Sequence, residues 1–251
     1  MLSTLYAVLF YVATIFLIVG TGMKVLKYAR TPAPLKIPVS PAPRTRAGVV
    51  MRMIREVTYF HSLFRSNRWI WVFAILFHYG MLLVLIRHLR YFTDPVWWWV
   101  ALIQPIGVLA GLAMLAGLLG LFARRIVVQR IRYISSPSDY LMLLLLIGIV
   151  ASGYSMSLVD RVDVLKVKNF MLGLMHFQIR ELPMQANILI HLGLVITLMI
   201  VFPISKLMHA PGLFFAPSRT QVDNARKFRH LTAWANQLPP LPDAIPEAGE
   251  K

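Results

Sequence analysis

Four histidines lie within or at the ends of strongly apolar segments, and their spacing sorts them into two pairs. His78 and His88 are ten residues apart in one segment, and His191 and His209 are eighteen apart in a later one. At about 100° per residue, a helix brings His191 and His209 to one face and leaves His78 and His88 roughly 80° apart. Ionisable groups at membrane depth are costly and commonly functional. The four imidazoles are therefore predicted to bind a ligand inside the membrane.

Haem iron fits these imidazoles better than the other ligands we considered. Neutral imidazole binds iron, zinc and copper, and helix bundles hold cofactors between facing helices. Zinc requires further ligands, but the chain has no cysteine and neither segment contains an acidic residue. Two haems, each with two axial histidines, would use all four residues, while hydrogen bonding between helices is the alternative interpretation. The remaining histidines, in predicted loops or the C-terminal tail, are not expected to be ligands: His61, His176 and His230.

The composition predicts an all-α membrane protein, a five-transmembrane-helix bundle. Of the 251 residues, 58% are hydrophobic and 14% are charged, whereas a soluble domain has about 45–50% apolar and about 25% charged residues. Runs of about 20 apolar residues can cross a hydrocarbon layer of roughly 30 Å. A soluble globular protein is thus excluded, and the lack of cysteine excludes disulfides, Cys-ligated iron–sulfur clusters and c-type haem attachment. The spans are predicted near residues 4–23, 69–90, 97–122, 140–159 and 186–208.

Lysine and arginine predict the orientation of the bundle, because basic loops stay on the cytoplasmic side. Of the 26 Lys and Arg residues, 20 fall between spans one and two, between spans three and four, or from residue 206 to the C-terminus. The N-terminus is therefore predicted outside and the C-terminus in the cytoplasm, in the cell inner (cytoplasmic) membrane. The net charge of +16 is then a topology signal with attraction to anionic membrane lipids, and no nucleic-acid binding is expected. The first span is expected to be a retained helix rather than a cleaved signal peptide, because its apolar run is long and no basic residue precedes it.

The antiparallel directions of spans two and five predict how the histidines pair. His88 is expected to meet His191 near the outer surface, and His78 to meet His209 toward the cytoplasm. The spacings correspond to about 15 Å along span two and about 27 Å along span five, so the two levels average roughly 20 Å apart. Helix tilt and a kink at Pro203 are expected to absorb the mismatch.

Residues 1–210 are predicted to form the membrane domain, and residues 211–251 a cytoplasmic tail without its own core. The first cytoplasmic loop, 27–68, begins with a proline-rich extended strap over 32–43, because closely spaced prolines forbid regular helix. Apolar residues then recur at helical spacing and predict an amphipathic helix near 50–66. This helix is expected to lie on the membrane surface, to dock against a partner, or simply to lead into span two.

Polar residues close to the histidines give two further expectations. Arg87 and Arg90 beside His88, and Lys206 beside His209, are suited to pair with haem propionates, although snorkelling to the interface explains them equally well. A cluster of hydrogen-bonding residues is also expected near the outer ends of spans two and three, with ordinary interface residues as the alternative. Its candidate residues are His88, Arg90, Tyr91, Asp94 and Gln104.

Five spans with histidines ten residues apart on the second and eighteen apart on the fifth resemble the gamma-subunit family of respiratory nitrate reductase. The resemblance covers residues 1–210 and implies a dihaem cytochrome b that exchanges electrons with quinol. It also implies a quinone site, for which the hydrogen-bonding cluster near the outer ends of spans two and three supplies the candidate residues. It implies that His78 and His209 bind a cytoplasm-side haem b, and that His88 and His191 bind an outer haem b. The proline-rich basic loop, the helix at 50–66 and the segment PISKLMHAP at 203–211 more closely resemble the DsrM branch, the membrane cytochrome b of the sulfite-reduction-associated Dsr (DsrMKJOP) transmembrane complex.

The resemblance also implies a function and a set of partners. The chain would carry electrons between a quinone pool (menaquinone or ubiquinone) and a cytoplasmic iron–sulfur subunit resembling heterodisulfide reductase, in dissimilatory sulfur metabolism. Further implied subunits are a multihaem cytochrome c, a periplasmic iron–sulfur protein and a second quinone-interacting membrane protein. The chain would thus be an electron-transfer subunit of a larger oxidoreductase. Three alternatives stay open: a gamma subunit of a nitrate-reductase-type complex, a non-redox membrane anchor, and a small transporter, for which no internal repeat is evident.

Overall fold

The computed structural model describes residues 1–33, 37–38, 40–224 and 237, and all regular secondary structure within them is helical. The predicted strap residues 34–36 and 39, and the tail residues 225–236 and 238–251 with His230, lie outside the described residues. The α-helices are α1 (Leu2–Arg30), α2 (Arg46–Tyr59), α3 (His61–Ser66), α4 (Arg68–His88), α5 (Trp98–Ile103), α6 (Gly107–Val127), α7 (Gln129–Ile134), α8 (Pro137–Leu158), α9 (Val164–Met175), α10 (Ala186–Val201), α11 (His209–Gly212) and α12 (Pro217–Thr220).

Five stretches of helix in the described part of the chain are long and apolar enough to cross a membrane, which confirms the predicted all-α bundle of five spans. They are Leu2–Arg30, Arg68–Tyr91, Trp98–Val127, Pro137–Leu158 and Ala186–Ile204. The first and third extend beyond the sequence prediction into residues that carry Lys27, Arg30, Arg124 and Arg125. Long basic side chains are tolerated there because they reach the interface and lie near the negative end of the helix dipole.

Prolines interrupt the third and fifth spans. A 3₁₀ turn at Gln104–Ile106, which contains Pro105, separates α5 from α6. In span five, α10 ends at Val201, and a 3₁₀ turn with Pro203, an extended Ser205 and a second 3₁₀ turn (Lys206–Met208) precede α11. Proline removes a backbone donor and its ring clashes with the preceding turn. The predicted continuous helix to residue 208 is therefore replaced by a break, which is sharper than the expected kink.

Close backbone contact joins α4 to α6. A Cβ atom added to Gly80 would lie 2.6 Å from the carbonyl oxygen of Ala110, and one added to Gly117 would lie 2.6 Å from the carbonyl oxygen of Phe73. Glycines at these points let the two helices approach more closely than any other residue allows. These two glycines therefore serve helix packing, and they hold the histidine-bearing α4 against a second helix.

The helix α9 between spans four and five was not predicted. Asp163 caps its N-terminus by accepting hydrogen bonds from the backbone of Leu165 (2.9 Å) and Lys166 (3.3 Å). Its buried residues Phe170 and Met171 pack in one cluster with residues of α1 and α10. The helix therefore packs on the end of the bundle where the chain begins.

The connections lie at two ends of the bundle. At one end Ser3 accepts a hydrogen bond from the backbone of Leu182 (3.2 Å), and at the other the backbone of Asp223 donates to the carbonyl of Pro43 (2.9 Å). We call the end formed by the described residues of 31–67, 128–136 and 205–224 the basic face, and the other end the opposite face. That the basic face is cytoplasmic stays a prediction.

The segment predicted as one amphipathic helix near 50–66 consists of α2 and α3, which are separated at Phe60. Thr45 caps α2 by accepting a hydrogen bond from the backbone of Gly48 (3.1 Å). Along α2, Glu56 is buried while Val50 and Ile54 are exposed. Whether these exposed apolar residues lie on a membrane surface stays a prediction.

Candidate functional site

The four paired histidines face each other in two ring-to-ring contacts. The centres of the His78 and His209 rings are 6.1 Å apart, and their planes are at 90°. The centres of the His88 and His191 rings are 6.4 Å apart, and their planes differ by 17°. We call the first the basic-face pair and the second the opposite-face pair. The partners are those expected from antiparallel spans.

Each of these rings hydrogen-bonds through Nδ1 to a backbone carbonyl oxygen. In the basic-face pair, His78 bonds to Ala74 (2.8 Å) and His209 to Lys206 (2.9 Å). In the opposite-face pair, His88 bonds to Val84 (2.6 Å) and His191 to Ile149 (3.0 Å). A carbonyl only accepts, so these bonds place a proton on Nδ1 and leave Nε2 as the nitrogen that can bind a metal, the arrangement of most metal-binding histidines. His176 makes a similar bond to Leu172 but lies outside both facing pairs.

The ring separations fit one iron ion between each pair. An imidazole nitrogen lies about 1.1 Å from its ring centre and binds a metal at about 2.0 Å, so two rings on opposite sides of one metal have centres about 6.2 Å apart. The observed 6.1 and 6.4 Å agree with this value. The described residues hold no group of three or more His, Cys, Asp or Glu suited to a bare metal ion. Pairs of histidines therefore suit a porphyrin iron, which needs only two ligands from the protein.

The break after α10 changes the expected distance between the two histidine pairs along the bundle. Ten residues of α4 separate His78 from His88, a rise of about 15 Å, and α10 rises by the same amount from His191 to its end at Val201. The turns that follow, rather than a further helical rise, then bring His209 to His78. The levels are thus about 15 Å apart along α4, less than the roughly 20 Å expected from a continuous helix.

The basic-face pair is covered by the junction of α2 and α3. Phe60 at this junction has φ 53° and ψ 52°, a left-handed conformation that costs about 1–3 kcal/mol for a residue other than glycine. Its ring centre lies 5.0 Å from that of His78. The junction is tied to α4 because Trp71 donates to the carbonyl of Tyr59 (2.6 Å) and Tyr79 donates to that of Thr58.

A buried ion pair joins this junction to the segment after His209. Glu56 is 8% exposed and pairs with Arg219 of α12 at 3.2 Å. Ser62 of α3 donates to the same Glu56 oxygen and accepts a hydrogen bond from Arg219. The elements that precede His78 are therefore connected to the element that follows His209.

The opposite-face pair is held by α8. His191 is 8% exposed, and its Nδ1 lies 3.0 Å from the hydroxyl of Ser152 as well as from the carbonyl of Ile149. A Cβ atom added to Gly153 would lie 3.4 Å from the His191 ring. The orientation of this ring is therefore set by a neighbouring helix.

Most of the residues expected to form a quinone site come together. Gln104 Oε1 accepts hydrogen bonds from Arg90 Nη1 (3.0 Å) and Arg87 Nε (3.4 Å). Arg90 also donates to the Tyr91 hydroxyl (2.7 Å), and the Tyr91 ring centre lies 5.8 Å from that of His88. The Arg90 Nε atom is buried without a hydrogen-bond partner among the described residues. This donor is suited to an oxygen of a bound group.

Two of the expected site residues are engaged elsewhere. Asp94 pairs with Lys168 of α9 at 2.8 Å rather than with the cluster around Gln104. Lys206, expected to bind a haem propionate, pairs with the buried Asp139 of α8 at 2.7 Å.

Sequence reasoning missed four residues that support the histidines: Phe60, Glu56, Asp139 and Ser152. An isolated acidic residue in an otherwise apolar segment was available as a signal for Asp139. The other three depend on contacts between elements distant in sequence, for which a single chain carries no local pattern.

Known proteins resemble this chain over nearly its whole length. The family model described as nitrate reductase gamma subunit matches residues 50–224, which include both histidine pairs. A protein of Archaeoglobus fulgidus named Hdr-like menaquinol oxidoreductase cytochrome b-like subunit is 34% identical, covering 95% of this chain and 86% of its own length. A protein of the same name from Archaeoglobus profundus is 32% identical, covering 94% and 84%.

Proposed function

Because the chain belongs to the nitrate reductase gamma-subunit family, we propose that it is the membrane-embedded dihaem cytochrome b subunit of a respiratory complex. His78 and His209 would hold one haem b, and His88 and His191 would hold the other. The observation that carries this proposal is the pair of ring separations, 6.1 and 6.4 Å, each of which matches two imidazoles on one iron. When bound, the haems supply one-electron transfer between the two faces of the membrane.

The chain's own residues prepare each site for this ligation. Backbone carbonyls accept a hydrogen bond from Nδ1 of each ring, so Nε2 is the nitrogen left to bind iron. His191 is 8% exposed, and this burial lowers the dielectric around the opposite-face pair, whereas His209 of the basic-face pair is exposed. The ten-residue separation on α4 places the two α4 ligands about 15 Å apart, and close packing against α6 supports this helix.

Quinone is the proposed redox partner at the opposite face. His88, Arg90, Tyr91 and Gln104 form the proposed site, with the Asp94–Lys168 pair at its edge. The unpaired Arg90 Nε and the Tyr91 hydroxyl offer hydrogen bonds to quinone oxygens or to a haem propionate. The relatives are named menaquinol oxidoreductase subunits, which favours menaquinone over ubiquinone for this chain.

The second redox partner is proposed to be a cytoplasmic iron–sulfur subunit resembling heterodisulfide reductase. The "Hdr-like" name of both relatives supports this partner over the catalytic subunits of a nitrate-reductase-type complex. We place the basic face in the cytoplasm of the cell inner membrane, following the positive-inside rule. The Dsr-type partners (a multihaem cytochrome c, a periplasmic iron–sulfur protein and a second quinone-interacting subunit) and a role in sulfur metabolism belong to the same proposal.

Anaerobic titration of the purified protein with a menaquinol analogue tests this function. A b-type absorption spectrum with two haems per chain is expected, and the quinol should reduce the haem at the opposite face first. Replacing Arg90 by Met should slow that reduction while the haem content stays at two, because Arg90 is proposed to contact quinone rather than iron. A protein without b-type absorption, or haems that quinol does not reduce, would contradict the proposal.

A further inference from the structure

We propose that Asp139 is a positioning residue for His209 and acts through Lys206. This inference rests on the proposed haem between His78 and His209, because it concerns how one ligand of that haem is held. No contact between Asp139 and the His209 ring is involved.

The Asp139 carboxylate joins three separate parts of the basic face. Its side chain is 4% exposed and lies in the first turn of α8, where it accepts hydrogen bonds from the backbone (3.0 Å) and hydroxyl (3.1 Å) of Ser136. Arg125 from the end of α6 approaches the same carboxylate at 3.5 Å. Lys206 from the turn before α11 pairs with it at 2.7 Å. A buried carboxylate with fixed partners is a rigid anchor for a cation.

Lys206 connects this anchor to the ligand. Its ammonium group binds Asp139, and its backbone carbonyl accepts the hydrogen bond from His209 Nδ1 at 2.9 Å. The Lys206 side chain is itself 72% exposed, so the ion pair, not burial of this side chain, holds its ammonium group in place. Displacing Lys206 would therefore move the carbonyl that orients the His209 ring.

The turn that carries Lys206 needs such an anchor because the helix is broken before it. After Val201 the chain continues through Pro203 and an extended Ser205, so helical hydrogen bonding from α10 does not fix the turn. By contrast, His191 lies within α10 itself. Ser152 of α8 contacts the His191 ring directly, and Asp139 of the same helix reaches His209 through Lys206. Helix α8, which carries none of the four ligands, thus supports one ligand of each pair.

The variants Asp139→Asn and Lys206→Met test the inference, because they break the same ion pair with opposite changes in charge. If the pair positions His209, both variants should change the g maximum of the basic-face haem in low-spin electron paramagnetic resonance spectra. Both should also speed its transfer to apomyoglobin by roughly 10- to 100-fold, the usual range for a lost outer-shell contact. The double variant should be no worse than the more severe single one.

The opposite-face haem is the internal control, and Asp163→Asn, at the N-terminus of α9, is the matched control variant. Both haem signals should be unchanged in Asp163→Asn. If Asp139→Asn fails to fold, Lys206→Met still breaks the ion pair from its exposed side and gives the same measurement.

A purely electrostatic role would give a different result. Asp139→Asn would then raise and Lys206→Met would lower the midpoint potential of the basic-face haem, with the g maximum unchanged, and this outcome overturns the inference. Unchanged spectra and unchanged haem transfer in both variants overturn it as well. Wild-type protein that binds no haem would instead refute the proposed function, before any variant is compared.

Discussion

The contact between α4 and α6 predicts that a single methyl group at Gly117 will loosen the basic-face pair. A Cβ atom at this position would lie 2.6 Å from both Phe73 O and Phe77 N. Such atoms normally stay about 3.3 Å or more apart, so the helices must separate by about 0.7 Å. Overpacking of this kind costs about 1–3 kcal/mol. For a chain of this size the apparent Tm should fall by about 2–12 °C.

The haem content provides a second measurement of the same change. The ring centres of Phe77 and His78 are 4.7 Å apart, so a shift of the Phe77 backbone reaches the neighbouring ligand. In Gly117→Ala, haem should be lost first from the basic-face pair.

Gly22→Ala is the matched control, because a Cβ atom there meets nothing within 4 Å. Alanine is favoured over glycine in a helix by about 1 kcal/mol, so this variant should retain both haems and an equal or higher Tm. The reasoning is refuted if Gly117→Ala and Gly22→Ala have the same Tm and the same haem content.

Three further predictions follow from the geometry of the sites. The rings of the basic-face pair are perpendicular (90°), and those of the opposite-face pair are nearly parallel (17°). The two haems should therefore give distinct low-spin electron paramagnetic resonance signals, with the larger g maximum from the basic-face haem. Two identical signals would show that the ring angles are wrong. Glu56→Gln removes the charge that pairs with Arg219 at 3.2 Å. It should lower the free energy of unfolding by about 1–3 kcal/mol in denaturant titrations. Equal denaturation midpoints for the variant and the wild-type protein would argue against this ion pair. Ser152→Ala removes the hydroxyl 3.0 Å from His191, so it should shift the midpoint potential of the opposite-face haem alone. A redox titration in which the midpoint potentials of both haems shift would count against that contact.

The spans and the pairing of the histidines are visible in the sequence because both follow from local patterns. Apolar runs of membrane length mark the five helices whatever they pack against. The direction of each span then follows from its order in the chain, and this brings His78 to His209 and His88 to His191.

The route of the fifth span was harder to predict. Pro203 indicated a kink, but proline in a membrane helix is compatible with either a bend or a break. The break after Val201 also depends on Ser205, whose hydroxyl accepts a hydrogen bond from the backbone of Leu207 (3.1 Å) and begins a new turn. The argument that His191 and His209 share one face of a continuous helix therefore predicted the observed partners, although the helix is broken between these two residues.

The polar contacts around the site were predicted least well, because they join residues distant in sequence. From its position near His209, Lys206 is suited either to a haem propionate or to the membrane interface, and the structure pairs it with Asp139, 67 residues earlier. Asp94 was grouped with Arg90 for the same reason of proximity, and it pairs with Lys168 instead. Lysine side chains are long and flexible, so the sequence neighbours of Lys168 and Lys206 do not determine which carboxylates they reach.

The central claim, that opposed imidazoles of two antiparallel spans bind two haems, is tested most directly by the haem content of single ligand variants. Pyridine haemochrome assays of the purified wild-type protein should give two haems b per chain. Replacing His78 or His209 by Ala should remove one and the same haem, identified by its resonance signal and midpoint potential, and replacing His88 or His191 should remove the other. Full haem content in these variants, or the same haem lost from His78→Ala and His191→Ala, would contradict the account.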